Sequence, residues 1–353
     1  MLDDLAQISK LDRGNILGSI ERLPEQIEQA WREIHEVSLP DNYSKAKNIV
    51  VAGMGGSALG GRIVHYLEFR NLRAPVEVVT NYHLPNYVNE DTLVILSSYS
   101  GNTEETLSCC MDAINRKAKI VGLATGGKLL EILEKDNLPF WKINPTNNPS
   151  NQPRMGLGYS IASIFGILSR LKFIDISAED IKNCVEVTEK FVHEFGVRSH
   201  SGSNHAKKIA EKLATKIPVL ITSEHLVGSA HAFKNQLNEN AKSFSMHFEI
   251  SELNHHLMEG LKYPAKAKEL LHFLFIESAN YYERIEKRYP ITQDVVKQNG
   301  FAYDIYKTSS EKRIEEVFEI LVLGSYISFY IAMLHGINPA PIPWVDYFKK
   351  KMD

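Results

Sequence analysis

Residues 48–61 read NIVVAGMGGSALGG, and this stretch decides the fold. Residues 48–52 form an apolar run of strand length, a glycine-rich turn follows, and a helix is predicted from about Ala58. Glycines allow the backbone to approach an anion closely, and the first N–H groups of a helix face such an anion. A buried strand, a glycine-rich turn and a helix, in that order, are typical of a parallel α/β sheet.

The same alternation continues downstream of this stretch. Further strands are predicted at residues 76–79, 92–96 and 119–123, with a helix from near Thr103. Short β-rich runs separated by helix-length segments indicate a parallel sheet with helices on both faces. Before the sheet, apolar residues recur at three- and four-residue steps as far as Pro40, which predicts an amphipathic helical lead-in.

The second half of the chain resembles a weaker copy of the first, without the glycine-rich loop. After a polar connector, the predicted elements are a buried helix from Met155, a strand at 217–222, a helix at 230–241, a strand at 245–250, an apolar run at 270–276, and charged helices to the C-terminus. We therefore predict two tandem doubly wound α/β domains. The predicted boundaries are a helical segment at 1–45, a first domain at 46–195, and a second domain with a C-terminal helix at 196–353.

Composition argues against several classes of protein. The 353 residues carry a net charge of -3 without a basic block, so neither a nucleic-acid nor a membrane-surface partner is indicated. The three cysteines match neither a disulfide framework nor a CxxC metal pattern. A signal-peptide pattern is not recognisable, and the apolar stretches 155–171 and 320–334 are shorter than the ~20 residues that span a bilayer. We expect a cytoplasmic protein in which these stretches are buried helices.

The glycine-rich segment at 53–61 is the first candidate binding site. It is not a Walker loop, because no Gly-Lys-Ser/Thr follows. Gly53, Gly55 and Ala58 fit a loose dinucleotide fingerprint, but the next strand ends in Thr80-Asn81 without an acidic ribose ligand. A nucleotide is therefore disfavoured. A phosphate site and a purely structural turn both remain open for this segment.

A second loop, SSYSGNTEET at 97–106, follows the third strand and opens another helix. Several hydroxyls and amide N–H groups therefore converge at the carboxyl edge of the sheet, which suits a phosphate monoester. The alternative is a helix cap, with Ser100 or Thr103 as the N-cap residue. A cap needs only one such hydroxyl, and this loop supplies several.

Taken together, the two loops resemble the sugar isomerase (SIS) domain through Gly55-Gly56-Ser57 and residues 98–103. More narrowly, the chain resembles the bifunctional phosphoglucose/phosphomannose isomerase family. Four further motifs of that family follow in order: Gln152-Pro153-Arg154, QLNENAK at 236–242, ELNH at 252–255, and DYFK at 346–349. The resemblance extends from about residue 48 to the end, and the ordered set is far more specific than either loop alone.

The resemblance implies an aldose-ketose isomerase that needs neither a metal nor a cofactor. Its expected reaction interconverts fructose 6-phosphate with glucose 6-phosphate and mannose 6-phosphate through a cis-enediol. The residues expected to bind the phosphate are Gly55, Gly56, Ser57, Ser98, Ser100 and Thr103. Two other interpretations stay open beside it: a phosphosugar-binding SIS regulator without turnover, and an isomerase of another phosphosugar.

Four side chains are expected to carry the reaction. The resemblance implies that Glu239 is the base, that Arg154 stabilises the enediolate, and that His255 and Lys349 assist ring opening. Proton abstraction beside a carbonyl does require a carboxylate together with a cation near the developing oxyanion. The resemblance also implies a homodimer in which the neighbouring subunit contributes His255. Taken singly, Glu239 and Lys349 could equally be solvated surface charges, and His255 an ordinary surface or core histidine.

The sequence departs from the family pattern at two positions. Leu257 stands where the family has a carboxylate, for which Glu259 is a candidate substitute, and Ala340 replaces a threonine. These departures leave the preferred epimer open. The active-site lysine is assigned to Lys349 rather than Lys350 from the DYFK match. A metal site at His255 and His256 is disfavoured because adjacent side chains diverge.

Overall fold

The computed structural model describes residues 1–352. Its first elements are the helices α1 (Leu5–Leu11), α2 (Ile16–Glu21) and α3 (Leu23–Ile34). In α3, Leu23, Ile27, Ala30 and Ile34 lie on one face and are all buried. Residues three and four apart share a helix face, so the apolar spacing attaches α3 to the core.

The first sheet is parallel, with strand order β2-β1-β3-β4-β5. Its elements are β1 (Asn48–Gly53), α4 (Gly56–Leu67), β2 (Val76–Val79), β3 (Thr92–Ser97), α5 (Glu104–Asn115), β4 (Lys119–Ala124), α6 (Gly127–Lys135) and β5 (Phe140–Lys142). The sequence pattern does not predict β5, because three residues are too few to show an alternation.

Both faces of this sheet are buried. Ile49 and Val51 of β1 join the large core cluster on one face, whereas Val50 and Ala52 join a second cluster on the other face. Alternate residues of a strand point to opposite faces, so a strand covered on both sides needs a continuous apolar run. The run at 48–52 is therefore explained by its position between two helical layers.

Two long helices connect the sheets, α7 (Leu157–Arg170) and α8 (Ala178–Phe195). All residues of α7 from Leu157 to Leu168 are buried, and the helix packs against α3 and α4. This enclosure explains why the sequence of α7 is apolar on every face. The helix α8 begins at a capping box in which Ser177 and Asp180 exchange hydrogen bonds.

The second sheet is also parallel, with strand order β7-β6-β8-β9. The elements of this half are α9 (His205–Leu213), β6 (Ile217–Thr222), α10 (Val227–Glu239), β7 (Met246–Glu249), α11 (Leu257–Gly260), α12 (Ala267–Leu270), β8 (Leu271–Glu277), α13 (Glu283–Glu286), α14 (Arg288–Gln298), β9 (Ala302–Lys307), α15 (Arg313–Leu334) and α16 (Pro343–Met352). The predicted class, doubly wound α/β with parallel sheets flanked by helices, is confirmed. The domain boundaries stay predictions.

One prediction in this half is wrong. The chain after residue 276 is not helical throughout, because β9 pairs with β8 in parallel. This strand reads AYDIYK, and only Tyr306 of its residues is buried. An edge strand covered on one side carries polar residues that weaken the apolar signal.

The helix α15 is long and apolar enough, by length and composition, to cross a membrane. However, 94% of its most apolar 18-residue window is buried inside the protein, where it packs against α8, α9 and α10. It is therefore a core helix, as the apolar stretch at 320–334 predicts.

The two sheets share one topological feature. In each, the second strand in sequence lies on one side of the first strand, and the third strand lies on the other side. The direction in which strands are added therefore reverses between β1 and β3 in the first sheet and between β6 and β8 in the second. We call these places the first and second switch points. Loops at the carboxyl ends of strands diverge at such a point and leave a crevice, which is where open α/β sheets bind ligands.

Candidate active site

The two loops of the first switch point contact each other directly. Ser57, just inside α4, accepts a hydrogen bond through Oγ from the N–H of Tyr99 at 3.0 Å. Ser98, which follows β3, accepts one from the N–H of Gly101 at 3.1 Å and donates to Oγ1 of Thr103 at 2.9 Å. The candidate phosphate residues of both loops therefore lie together, and we call this group the phosphate cup.

Two glycines allow the loops to adopt these turns. Gly55 has φ 51°, and Gly101 has φ 70°, a left-handed conformation that side chains with a Cβ adopt only with strain. At Gly101 a Cβ would also lie 1.8 Å from the carbonyl oxygen of Gly126. The glycines are thus required by the turns themselves.

The helix-cap alternative is only half realised. Thr103 does occupy the N-cap position of α5, but its side chain makes no capping hydrogen bond in the described structure. The N-cap residue of α4 is Gly55, which has no side chain to cap the helix. The first N–H groups of a helix have no partner within the helix and carry partial positive charge. Two helix starts without side-chain acceptors therefore border the phosphate cup. Ser100 lies at its exposed rim, where Oγ accepts from Asn102 N–H at 3.2 Å.

Arg154 lies beside the phosphate cup, held in a buried position. Its side chain is 3% exposed. A Cβ built on Gly56 would lie 3.2 Å from Cα of Arg154 and 3.0 Å from the carbonyl oxygen of Pro153. The segment that carries Arg154 therefore rests against the first turn of α4, and a side chain at Gly56 would crowd it.

The hydrogen bonds of Arg154 set the orientation of its guanidinium group. Nε donates to Asn240 at 2.7 Å, and one N–H of Nη1 donates to Gln152 at 2.8 Å. Nη2 donates to the carbonyl oxygens of Pro339 and Ala340 at 3.1 and 2.7 Å. Arginine has five N–H donors, so one donor is left. It belongs to the nitrogen that faces Glu239.

Glu239 ends α10, and its carboxylate lies 3.8 Å from the Arg154 guanidinium. Burial raises the pKa of Glu239, while the positive charges of Arg154, Lys242 and Lys349 oppose that rise. The side chain is nevertheless 31% exposed. A carboxylate with a raised pKa, open to solvent on one side and next to a fixed cation, is suited to take and return a proton.

The structure also brings Lys349 close enough for its charge to act on this carboxylate. Arg154 and Glu239 thus come together from distant parts of the chain, and the charge of Lys349 acts on this pair.

His255 is not joined to this group. It lies exposed at the end of a 3-10 turn at Glu252–His255. Within residues 1–352, it makes no hydrogen bond or ion pair with Arg154, Glu239 or Lys349. His256 pairs with Glu252 at 3.8 Å, and no group of three or more potential metal ligands occurs in the described chain.

Three residues near the site have no predicted role. Gln152 and Asn240 orient Arg154, and Lys242 donates through Nζ to the carbonyl oxygens of Glu239 and Pro339. Burial and the neighbouring Arg154 lower the pKa of Lys242 to about 8. All three lie inside motifs quoted above, but a motif does not distinguish a residue that supports another from one that reacts.

Comparison with known proteins identifies the relatives of this chain. Residues 202–352 match the family described as bacterial phospho-glucose isomerase C-terminal SIS domain. The bifunctional phosphoglucose/phosphomannose isomerase of Caldicellulosiruptor bescii is 34% identical over 341 residues, covering 95% of this chain and 98% of that protein. The enzyme of the same name from Thermoplasma acidophilum is 31% identical, over 86% of this chain and 89% of that protein.

A solved structure supports the fold alone. The crystal structure of a glucose-6-phosphate isomerase like protein from Thermus thermophilus matches with a TM-score of 0.59 at 14% identity, covering 96% of each chain.

Proposed function

The chain belongs to the bifunctional phosphoglucose/phosphomannose isomerase family, and we propose that it interconverts fructose 6-phosphate with glucose 6-phosphate and mannose 6-phosphate. The observation that carries this proposal is the half-buried Glu239 carboxylate beside the oriented guanidinium of Arg154, next to the phosphate cup. A sensor would need the cup, but it would have no use for a base paired with an oxyanion-binding cation.

The proposed binding step uses the phosphate cup. The 6-phosphate accepts hydrogen bonds from the hydroxyls of Ser57, Ser98, Ser100 and Thr103 and from backbone N–H groups around Gly55 and Gly56. Ser98 and Thr103 already bond to each other, so their hydroxyls can rotate toward a phosphate without a change in the backbone. This step places the sugar carbons toward Arg154 and Glu239.

The proposed proton transfer balances within the substrate. In the aldose-to-ketose direction, the carboxylate of Glu239 takes the proton from C2, and the C1 carbonyl oxygen gains a proton to give the cis-enediol. Glu239 then returns its proton to C1 and is ionised again, while the C2 hydroxyl loses its proton and becomes the carbonyl. This proton replaces the one that the C1 oxygen gained, so no net proton enters or leaves the substrate. The remaining N–H donor of Arg154 stabilises the oxygen that carries negative charge. No metal enters the proposed mechanism.

Ring opening is assigned to Lys349 and His255, with His255 contributed by a neighbouring subunit. The exposed position of His255 is compatible with this assignment. The helix α16 also leaves Trp344 80%, Tyr347 57% and Phe348 62% exposed, and clustered exposed aromatic residues are typical of protein–protein contacts. We therefore propose a homodimer, for which sedimentation at assay concentration is the test; a fully active monomer would contradict it.

The proposed dual specificity follows from the chemistry of C2. Glucose and mannose phosphates differ only in configuration at that carbon and give the same enediol. A carboxylate that reaches C2 of either epimer after rotation of the bound sugar serves both substrates. Ala340 contacts Arg154 through its carbonyl oxygen and presents its Cβ to Gly14, so the epimer ratio has to be measured rather than carried over from the family.

The decisive experiment is a coupled assay of EDTA-treated protein on fructose 6-phosphate, following glucose 6-phosphate and mannose 6-phosphate separately. Formation of both products supports the proposal. Binding of fructose 6-phosphate without either product would favour the regulator, and turnover of a different phosphosugar alone would favour the other isomerase.

Action in the cytoplasm stays a prediction. The cysteines are all buried free thiols.

A further inference from the structure

The second switch point has the same strand order as the first, but a side chain of the protein fills it. The carboxylate of Glu316, from α15, accepts hydrogen bonds from residues that follow three different strands. Ser278 after β8 donates at 2.9 and 2.7 Å, Thr308 after β9 donates at 2.5 Å, and His225 after β6 lies with Nε2 at 2.5 Å. We call these three donors the second cup.

The second cup is buried. Glu316 is 1% exposed and His225 0%, and neither contacts the candidate active site. Burial raises the pKa of Glu316, but the hydrogen bonds from His225, Thr308 and Ser278 outweigh it, so the net shift is downward and the group is ionised. Burial lowers the pKa of His225, which is therefore the neutral donor; its Nδ1 has no partner in the described structure.

One feature of the phosphate cup recurs here, a serine after the equivalent strand that accepts from a backbone N–H group of its own loop. Ser98 follows β3 and accepts from the N–H of Gly101 at 3.1 Å, and Ser278 follows β8 and accepts from the N–H of Asn280 at 2.8 Å. Both serines lie on the same side of their switch points. The difference is the acceptor of the serine proton, which is the hydroxyl of Thr103 in the first case and the carboxylate of Glu316 in the second.

We propose that the second cup is an anion-binding site that the chain occupies permanently with the carboxylate of Glu316. Three donors from three strand ends surround one buried negative charge, at the position where this topology binds ligands. The ligand class of the site is therefore a small carboxylate or oxyanion, and the protein supplies it. It follows that each chain offers a phosphate group one binding place, although it contains two switch points.

An ordinary buried acid would satisfy the same hydrogen-bond donors, so the test has to replace the carboxylate by a free anion. Glu316→Ala removes one CH2–COO⁻ group, and acetate carries the same atoms apart from one hydrogen. A cleft of about 630 Å³ is lined in part by Glu224 and Arg313, the latter three residues before Glu316 on α15. Val317→Ala is the matched control, because Val317 is fully buried next to Glu316 and bonds to no donor.

The experiment is thermal unfolding at pH 7 in acetate and in chloride of equal ionic strength. We expect Glu316→Ala to melt lower than the wild type and to recover by about 2 °C or more as acetate saturates the site. The melting temperatures of the wild type and of Val317→Ala should not rise in acetate relative to chloride. If Glu316→Ala responds to acetate no more than Val317→Ala does, the proposal is wrong.

Two further measurements complete the test. If Glu316→Ala does not fold in chloride, its refolding yield from urea is compared in acetate and chloride, and equal yields overturn the proposal. Separately, titration of wild type with inorganic phosphate should give one site per chain, lost in Ser57→Ala/Ser98→Ala. A phosphate site that survives those substitutions overturns the proposal. This count rests on the proposed phosphate cup, whereas the acetate response does not, so the two failures are distinguishable.

Discussion

The two switch points differ in what occupies the space between the diverging loops. At the first, glycines at 55 and 101 make tight turns, hydroxyl groups bond to one another, and Ser100 reaches solvent. At the second, residues that follow β6, β8 and β9 surround the carboxylate of Glu316. Parallel strand ends bring donors together in both places. Whether the place can receive a ligand depends on whether the chain already provides the anion.

The largest expected effect is the loss of the base. Glu239→Gln keeps the size of the side chain but removes its ability to accept a proton, so kcat should fall about 10²- to 10⁴-fold, with fructose 6-phosphate binding retained. The exposed Glu211 gives a control, Glu211→Gln, that should leave kcat unchanged. Turnover of Glu239→Gln at the wild-type rate would show that Glu239 is not the base.

Substitution of the two corresponding serines, Ser98 and Ser278, distinguishes the role of the phosphate cup from that of the second cup. A hydrogen bond to a charged group contributes about 1.5–3 kcal/mol, so Ser98→Ala should lower kcat/KM roughly 10- to 150-fold. Ser278→Ala should leave kcat/KM near wild type and instead lower the free energy of unfolding by about 1–3 kcal/mol. Steady-state kinetics and urea unfolding of both variants measure this. If Ser278→Ala lowers kcat/KM as much as Ser98→Ala does, the claim that only the phosphate cup binds substrate is wrong.

The two glutamates should have opposite effects on stability. The pKa of Glu239 is raised in the folded protein, so its ionised form disfavours folding at pH 7, and Glu239→Gln should raise Tm. The pKa of Glu316 is lowered, so its contribution is present above the unfolded pKa and is lost as pH falls through the folded pKa. Glu316→Gln should therefore lower Tm at pH 7 and reduce the loss of stability on acidification.

Melting curves of both variants between pH 3 and pH 7 test these signs. A lower Tm for Glu239→Gln would show that the active-site carboxylate stabilises the fold. The contrast between a reactive and a structural carboxylate would then fail.

The smallest expected effect is a displacement of the pH profile. The base must be ionised, so kcat/KM is lost as pH falls through the pKa of Glu239, which lies above its ordinary value of 4.5. Lys349→Met should lower kcat/KM through the loss of a ring-opening group, and it also removes a charge that favours the carboxylate, so the acid limb should move to higher pH. Lys350→Met is the matched control and should not move it. Equal displacement in both variants would contradict the assignment of Lys349.

The comparison also indicates which parts of the fold are predictable. Residues 48–52 and 217–222 are buried on both faces, so their apolar runs predict strands directly. The edge strand β9 is half exposed and carries no such run. For the site, the loops at 53–61 and 97–106 are recognisable because strand ends of one parallel sheet must meet at one edge.

Local chemistry is visible in neighbouring residues: strand runs, glycine turns, hydroxyl-rich loops and the ordered motifs that contain Arg154, Glu239 and Lys349. From these the fold class and the candidate phosphate loops follow without coordinates, and the family resemblance of the motifs implies the candidate base. One partner of Arg154, Asn240, lies 86 residues away in the chain, and one donor to Glu316, His225, lies 91 residues away. No local pattern records such contacts, because they arise only when helix packing brings distant backbone segments within hydrogen-bond distance. Tertiary packing therefore decides that a carboxylate of the chain occupies the second switch point, whereas hydroxyl groups bond to one another at the first.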